Sequence, residues 1–135
     1  MPGMKRDMDL IKAILHHAEE YDGDDTPAFD QKDLPETFHT VSEHAWVLHC
    51  NLIVDRGLVK GSLDRGSKLT VSAITWEGYD FLDHSRSPEV WNAAKTTAGH
   101  LSFGAFVNIL THLETTYGFE LLKPGLEKLL ELAVL

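Results

Sequence analysis

Residues 40–55 constrain the fold of this chain more than any other stretch. A helix there places Val41, Ala45, Leu48 and Leu52 on one face and Trp46, Val47, Cys50, Ile53 and Val54 on the other, because residues three and four apart share a side. No Lys or Arg falls between Thr40 and Asp55, and the polar groups inside the stretch are Ser42, Glu43, His44, His49 and Asn51. A helix apolar nearly all round needs cover on two sides. The face with Ala45, Leu48 and Leu52 is expected to enter the core of its own domain. The face with Trp46 and Val47 is expected to be covered by the C-terminal helices of the same chain or by a second chain.

The segment before this helix can begin a core. Asp7 can cap a helix whose apolar positions Met8, Ile11, Leu15 and Ala18, flanked by Leu10 and Ile14, recur at helical spacing until Asp22 and Gly23 stop it. The acidic, turn-rich stretch 22–35 then reads as a surface loop with room for a short strand around Ala28 to Asp30. It lacks the Gly and Glu positions of an EF-hand, so Asp22, Asp24, Asp25, Asp30 and Asp33 are expected to be solvated rather than to hold calcium. Thr40 and Glu43 form a Thr-x-x-Glu capping box that predicts the start of the second helix, and Gly57 predicts its left-handed end.

Beyond Gly57, Leu58 to Leu63 and Leu69 to Ile74 are β-prone runs separated by the turn residues Asp64, Arg65, Gly66, Ser67 and Lys68, which predicts a hairpin. Thr75 can cap a helix with Trp76, Tyr79, Phe81 and Leu82 that ends near Arg86, and Ser87 with Pro88 opens a short one closed by Gly99. Ser102 begins an amphipathic helix with Phe103, Phe106, Val107 and Leu110 on one face, and Pro124 starts a last one with Leu126, Leu129, Leu130 and Ala133. This order predicts an α+β, mainly α fold: a winged helix, that is a helix-turn-helix with a β-hairpin wing, over 4–86. Residues 87–135 are expected to be a C-terminal helical extension, packed on that domain or used for dimerisation. A chain of 135 residues is one core's worth.

Three motifs carry a family resemblance. Leu-His-Cys-Asn-Leu-Ile-Val-Asp-Arg-Gly-Leu-Val (Leu48 to Val59) resembles the end of a recognition helix running into a wing. Ile-Thr-Trp-Glu-Gly-Tyr-Asp-Phe-Leu (Ile74 to Leu82) resembles the helix that follows a wing. With the opening Met-Lys-Arg-Asp-Met-Asp-Leu-Ile (Met4 to Ile11), they look like a phage- and prophage-associated winged-helix family of unknown function. The resemblance covers roughly residues 4–95 and implies a fold, not an activity.

Charge and spacing narrow the function classes. Twelve Lys and Arg against 21 Asp and Glu leave a net charge of −9, a field that repels phosphate at long range. The cations cluster instead on the hairpin: Arg56, Lys60, Arg65 and Lys68 face only Asp64 within residues 56–68. They are the candidate nucleic-acid contacts, through phosphate. His39, His44 and His49 are five apart, which turns each about 140° from the last on a helix, whereas a chelating pair needs spacing three or four. Cys50, His49 and Asp55 could form a nucleophilic site only if helix neighbours faced one substrate, which they do not. No Gly-rich phosphate loop, Gly-x-Ser-x-Gly elbow or His-Glu-x-x-His helix occurs. No enzyme, metal or cofactor is therefore expected. Cys50 is the sole cysteine, no apolar leader opens the chain, and no run approaches the apolar length of a membrane span. A cytoplasmic protein is expected, in the host cell if phage-encoded.

The expected function is macromolecular binding, to a protein partner in a regulatory complex or as an inhibitor of a host defence system such as CRISPR-Cas. The candidate protein interface is Trp46, Val47, Leu126, Leu129 and Leu130, with the leucines pairing two chains in a homodimer. The alternative is a dimeric transcriptional regulator that binds DNA through the basic wing.

Overall fold

Each helix starts where the sequence offers a side-chain cap. In the computed structural model, which describes residues 6–21, 25–98 and 102–113, Asp7 accepts the Leu10 N–H and begins α1, Met8–Glu19. The second helix, α2, spans Glu43–Asp55. Its cap is Ser42, whose Oγ accepts the Ala45 N–H at 3.1 Å, rather than Thr40. The expected capping box does not form, because a helix capped at Ser42 makes Glu43 its first residue rather than its third, and the Glu43 carboxylate accepts the Ser67 hydroxyl instead. Gly57 ends the helix at φ 79°, the left-handed region where a Cβ is strained.

Strands β1, Val59–Leu63, and β2, Leu69–Ile74, pair antiparallel with a bulge at Lys60/Gly61. Phe29 extends this sheet on its other edge through reciprocal backbone bonds with Leu69, and Thr26 holds Val71 by donating its N–H to the Val71 carbonyl and accepting the Val71 N–H at its Oγ1. The short strand expected near Ala28 thus reduces to a single bridge. Two one-turn 3-10 segments, Gln31–Asp33 and Glu36–Phe38, lead back to α2. Asp30 and Asp33 cap the first of them: Asp30 accepts the Lys32 N–H, and Asp33 accepts the Asp30 N–H.

After β2 come α3, Trp76–His84, and α4, Pro88–Ala98, followed by a helical run over 103–113. The described residues are therefore α+β and mainly helical, with one two-stranded antiparallel sheet. The chain divides into two compact units, Met1–Asp83 and His84–Leu135. In the second, Ser87 caps α4, Ser102 caps the run that follows, and Trp91 meets Phe106 edge to face at 5.5 Å. The expected helix from Pro124, with Leu126, Leu129 and Leu130, lies outside the described residues.

The core of the first unit corrects the expected orientation of α2. The residues that α2 buries are Trp46, His49, Cys50 and Ile53, while Ala45, Leu48 and Leu52 are only partly buried. Hydrophobicity cannot orient a helix that is apolar on both sides, and here two polar groups decide it. Trp46 is fully enclosed, its indole N–H donates to the Ser67 carbonyl at 2.7 Å, and its ring meets Phe29 edge-on at 5.8 Å. The His49 imidazole accepts the Asp7 N–H at Nε2 and donates from Nδ1 to the Ala45 carbonyl, both at 2.7 Å. A buried ring with both nitrogens engaged carries no desolvation penalty for an orphaned polar group. α1 closes this core by packing on α2 and β2 through Leu10, Ile11, Ile14 and Leu15. Trp46 is therefore an internal residue of the first unit and presents no surface to a partner.

Trp46→Ala is expected to cost about 3–5 kcal/mol of stability, since it removes a large enclosed aromatic and leaves a cavity. Leu48→Ala, on the outer shoulder of the same helix, should cost roughly 1 kcal/mol. Urea unfolding of both variants checks the orientation, and a Leu48 variant less stable than the Trp46 variant would reverse it.

Candidate functional site

Three surfaces of the first unit could carry function, and each follows from how its element is held. The hairpin tip is built by Asp64, whose Oδ1 accepts the Gly66 and Lys68 N–H groups at 2.8 and 3.0 Å. Ser67 sits at φ 61°, a strained conformation for a residue with a Cβ. It is held from outside by Trp46 at its carbonyl and by Glu43 at its hydroxyl. The tip is consequently pinned against the first turns of α2. Arg56, Lys60, Arg65 and Lys68 are all exposed, so the hairpin offers its cations to solvent.

The outward side of α2 is different in kind. Opposite the buried arc lie His44, Asn51 and Asp55, all exposed, with Val47 and Leu48 partly exposed between them. His44, Leu48, Asn51 and Asp55 follow one stripe at helical spacing. The stripe holds no Lys or Arg, as the sequence requires, while Glu43 lies nearer the buried arc and is bonded to Ser67. Of the expected interface residues, Val47 remains on accessible surface, Trp46 does not, and Leu126, Leu129 and Leu130 lie outside the described residues.

The third surface was missed by sequence reasoning. Trp76, at the start of α3, is 85% exposed, and Tyr79 on the same side is 39% exposed. The sequence names both only as members of the helix after Thr75, with nothing to set them apart from Phe81 and Leu82. The signal that places them outside is Gly78, whose missing Cβ lets the helix lie directly on the Leu58 carbonyl. With position 78 turned inward alongside Phe81 and Leu82, positions 76 and 79 turn out.

An open groove of about 1170 Å³ also runs between the polar side of α1 and residues 33–41, lined by Asp7, Asp9, Lys12, His16, His17 and Asp33 among others. His17 lies against Phe29, ring centroids 4.1 Å apart, and its Nε2 is buried without a hydrogen-bond partner. The remaining histidines do not converge: His39 bonds the Leu34 carbonyl, His44 is exposed, and His49 is consumed in the core. No set of three His, Cys, Asp or Glu side chains that could hold a metal ion occurs among the described residues.

Cys50 is fully buried, and desolvation pushes its thiol up to about 12. A neutral, enclosed thiol is neither a nucleophile nor a metal ligand at neutral pH. Because the folded thiol holds its proton more tightly than the unfolded one, its contribution to stability is intact below pH 9 and is lost as pH rises toward 12. Native protein at pH 8 should thus resist a thiol reagent that labels the urea-unfolded chain at once. Stability above pH 9 should fall less steeply in Cys50→Ala. Rapid labelling of the native protein would contradict the buried assignment.

The family model described as "Hypothetical protein (DUF2513)" matches residues 5–104. A Haemophilus influenzae (strain ATCC 51907 / DSM 11121 / KW20 / Rd) protein described as "Uncharacterized protein" is 33% identical over 98 residues, covering 70% of this chain and 78% of that relative. No solved structure matches the chain. Within the described residues, no helix is long and apolar enough to cross a membrane. A match over residues 5–104 takes in every element from α1 to α4, and on that extent the chain belongs to the DUF2513 family.

Proposed function

We propose that this chain is a non-enzymatic winged-helix protein of phage or prophage type that acts in the cytoplasm by binding a protein partner, in a regulatory complex or as an inhibitor of a host defence machine. The winged-helix part of the proposal, over 4–86, is supported by element order. α1, the Phe29 bridge, two 3-10 turns, α2 and the β1–β2 hairpin follow one another as helix, short strand, turn, second helix and wing. The observation that carries protein over DNA is the outward side of α2, the element that would enter a major groove. It presents His44, Leu48, Asn51 and Asp55 and no Lys or Arg, whereas base readout and phosphate approach both draw on Arg and Lys. Partly exposed aliphatics flanked by polar groups suit a protein contact.

A second reading, a dimeric DNA-binding regulator, rests on one observation: the exposed cations Lys60, Arg65 and Lys68 of the hairpin, with Arg56 at the C-terminal cap of α2. The pinned tip would hold Arg65 and Lys68 in fixed positions for phosphate. The net charge of −9 opposes it at long range. In either reading the C-terminal leucines Leu126, Leu129 and Leu130 are proposed to pair two chains, which makes a homodimer the expected species in light scattering.

The two readings separate in solution. Anisotropy titration of a random duplex at physiological salt is expected to give a Kd near or above about 1 μM, the range of nonspecific binding. Affinity purification from phage-infected cells with nuclease treatment is expected to retain a protein partner that Leu48→Asp loses while the variant, though its Tm is lowered, stays folded at the assay temperature. Tight binding to a defined site, abolished by Arg65→Glu, would establish the regulator instead.

A further inference from the structure

The exposed face of α3 is the largest uncovered aromatic surface among the described residues: Trp76 stands 85% exposed and Tyr79 39% exposed. Exposed aliphatics scattered singly are ordinary, but a nearly bare indole held on a helix is not. Its scaffold is fixed. The Thr75 N–H donates to the Leu58 carbonyl, its hydroxyl donates to the carbonyls of Gly57 and Leu58 and accepts the Gly78 N–H, and Gly78 lies against Leu58. The first turn of α3 is thereby clamped to the start of β1, and the opposite side of that turn projects Trp76 from a rigid base.

The charges around the indole define what it would meet. Glu77, Asp80 and Asp83 are exposed on the same helix, which carries no Lys or Arg. Trp76 and Asp80 are one turn apart, as are Tyr79 and Asp83, so each aromatic ring neighbours a carboxylate. The helix dipole accounts for Glu77 in the first turn. It gives no reason for Asp80 in the middle of the helix, where negative charge gains nothing from it. An aromatic face beside a carboxylate is the chemistry that receives a guanidinium, stacked on the ring and paired through its N–H groups to the acid. Nucleic acid is disfavoured at this face because its phosphates would meet three carboxylates.

We infer that this face of α3 is the docking surface for an arginine-presenting cationic segment of a partner protein. The inference rests on the protein-binding function proposed above and names the chemistry of the partner.

The test uses the full chain and a synthetic oligo-arginine peptide, read by calorimetry and by acrylamide quenching of tryptophan fluorescence, with oligo-lysine as the control. Trp76 is expected to be freely quenched in the protein alone and shielded when the peptide binds, with oligo-arginine bound more tightly than oligo-lysine. Trp76→Ala leaves the net charge unchanged, so it separates this face from nonspecific attraction to an acidic protein. It should weaken peptide binding at least about tenfold, as loss of an aromatic anchor does, with Tm unaltered. Asp80→Asn should weaken binding in the same direction. Three outcomes overturn the inference: equal binding by wild type and Trp76→Ala, equal affinity for the two peptides, or an indole already shielded in the free protein. Partner capture that Leu48→Asp abolishes and Trp76→Ala leaves intact would overturn the α3 surface while the protein-binding function stands. Absence of any nuclease-resistant partner would remove the function itself.

Discussion

The enclosure of Trp46 is the constraint on which the first unit depends. One side chain of α2 joins three segments: it lies edge-on to Phe29, which bridges β2, and its indole N–H closes on Ser67 at the hairpin tip. A tryptophan buried without a partner for its N–H would lose much of what its area gains. Here the polar bond that satisfies the ring also sets the position of the hairpin. The same bond supports Ser67 in a backbone conformation it would not choose alone. Helix orientation, sheet edge and hairpin placement are thus one solution rather than three.

Most element boundaries were legible in the sequence because their determinants are local. Asp7, Gly57, Thr75, Ser87 and Ser102 each act within a few residues of their own positions, and the strands Leu69–Ile74 and Val59–Leu63 match the β-prone runs almost residue for residue. The orientation of α2 was not legible, and the reason is specific. Its apolar residues surround the axis, so the inward arc is chosen by partners 21 residues away for Trp46 and 42 residues away for His49. Histidine counts as polar in any pattern, yet His49 is core. Thr40 likewise matches a capping box in sequence, but the helix starts two residues later on Ser42, whose hydroxyl oxygen accepts the Ala45 N–H.

The candidate surfaces divide along the same line. The basic hairpin could be read from composition, since turn residues between strands are exposed by necessity. The aromatic face of α3 could not, because Trp76 and Tyr79 fit a buried stripe as well as an exposed one. What separates the two cases is a close approach of backbone at Gly78, a distance that no periodicity records. Placing the cations on the hairpin and the carboxylates on α3 leaves the first unit with one positive and one negative–aromatic surface, while the outward side of α2 carries no Lys or Arg and no exposed Phe, Tyr or Trp.

The bond between Asp7 and His49 has a consequence for motion. The first turn of a helix ordinarily frays at little cost, because its amides can turn to water. In α1 the amide at the cap is the group that satisfies an imidazole nitrogen inside the core. Unwinding that turn would strand a buried acceptor, which adds about 1–3 kcal/mol to the cost of opening this end of the helix. The beginning of α1 is therefore tied to the core and opens less readily than a helix end whose amides face only water.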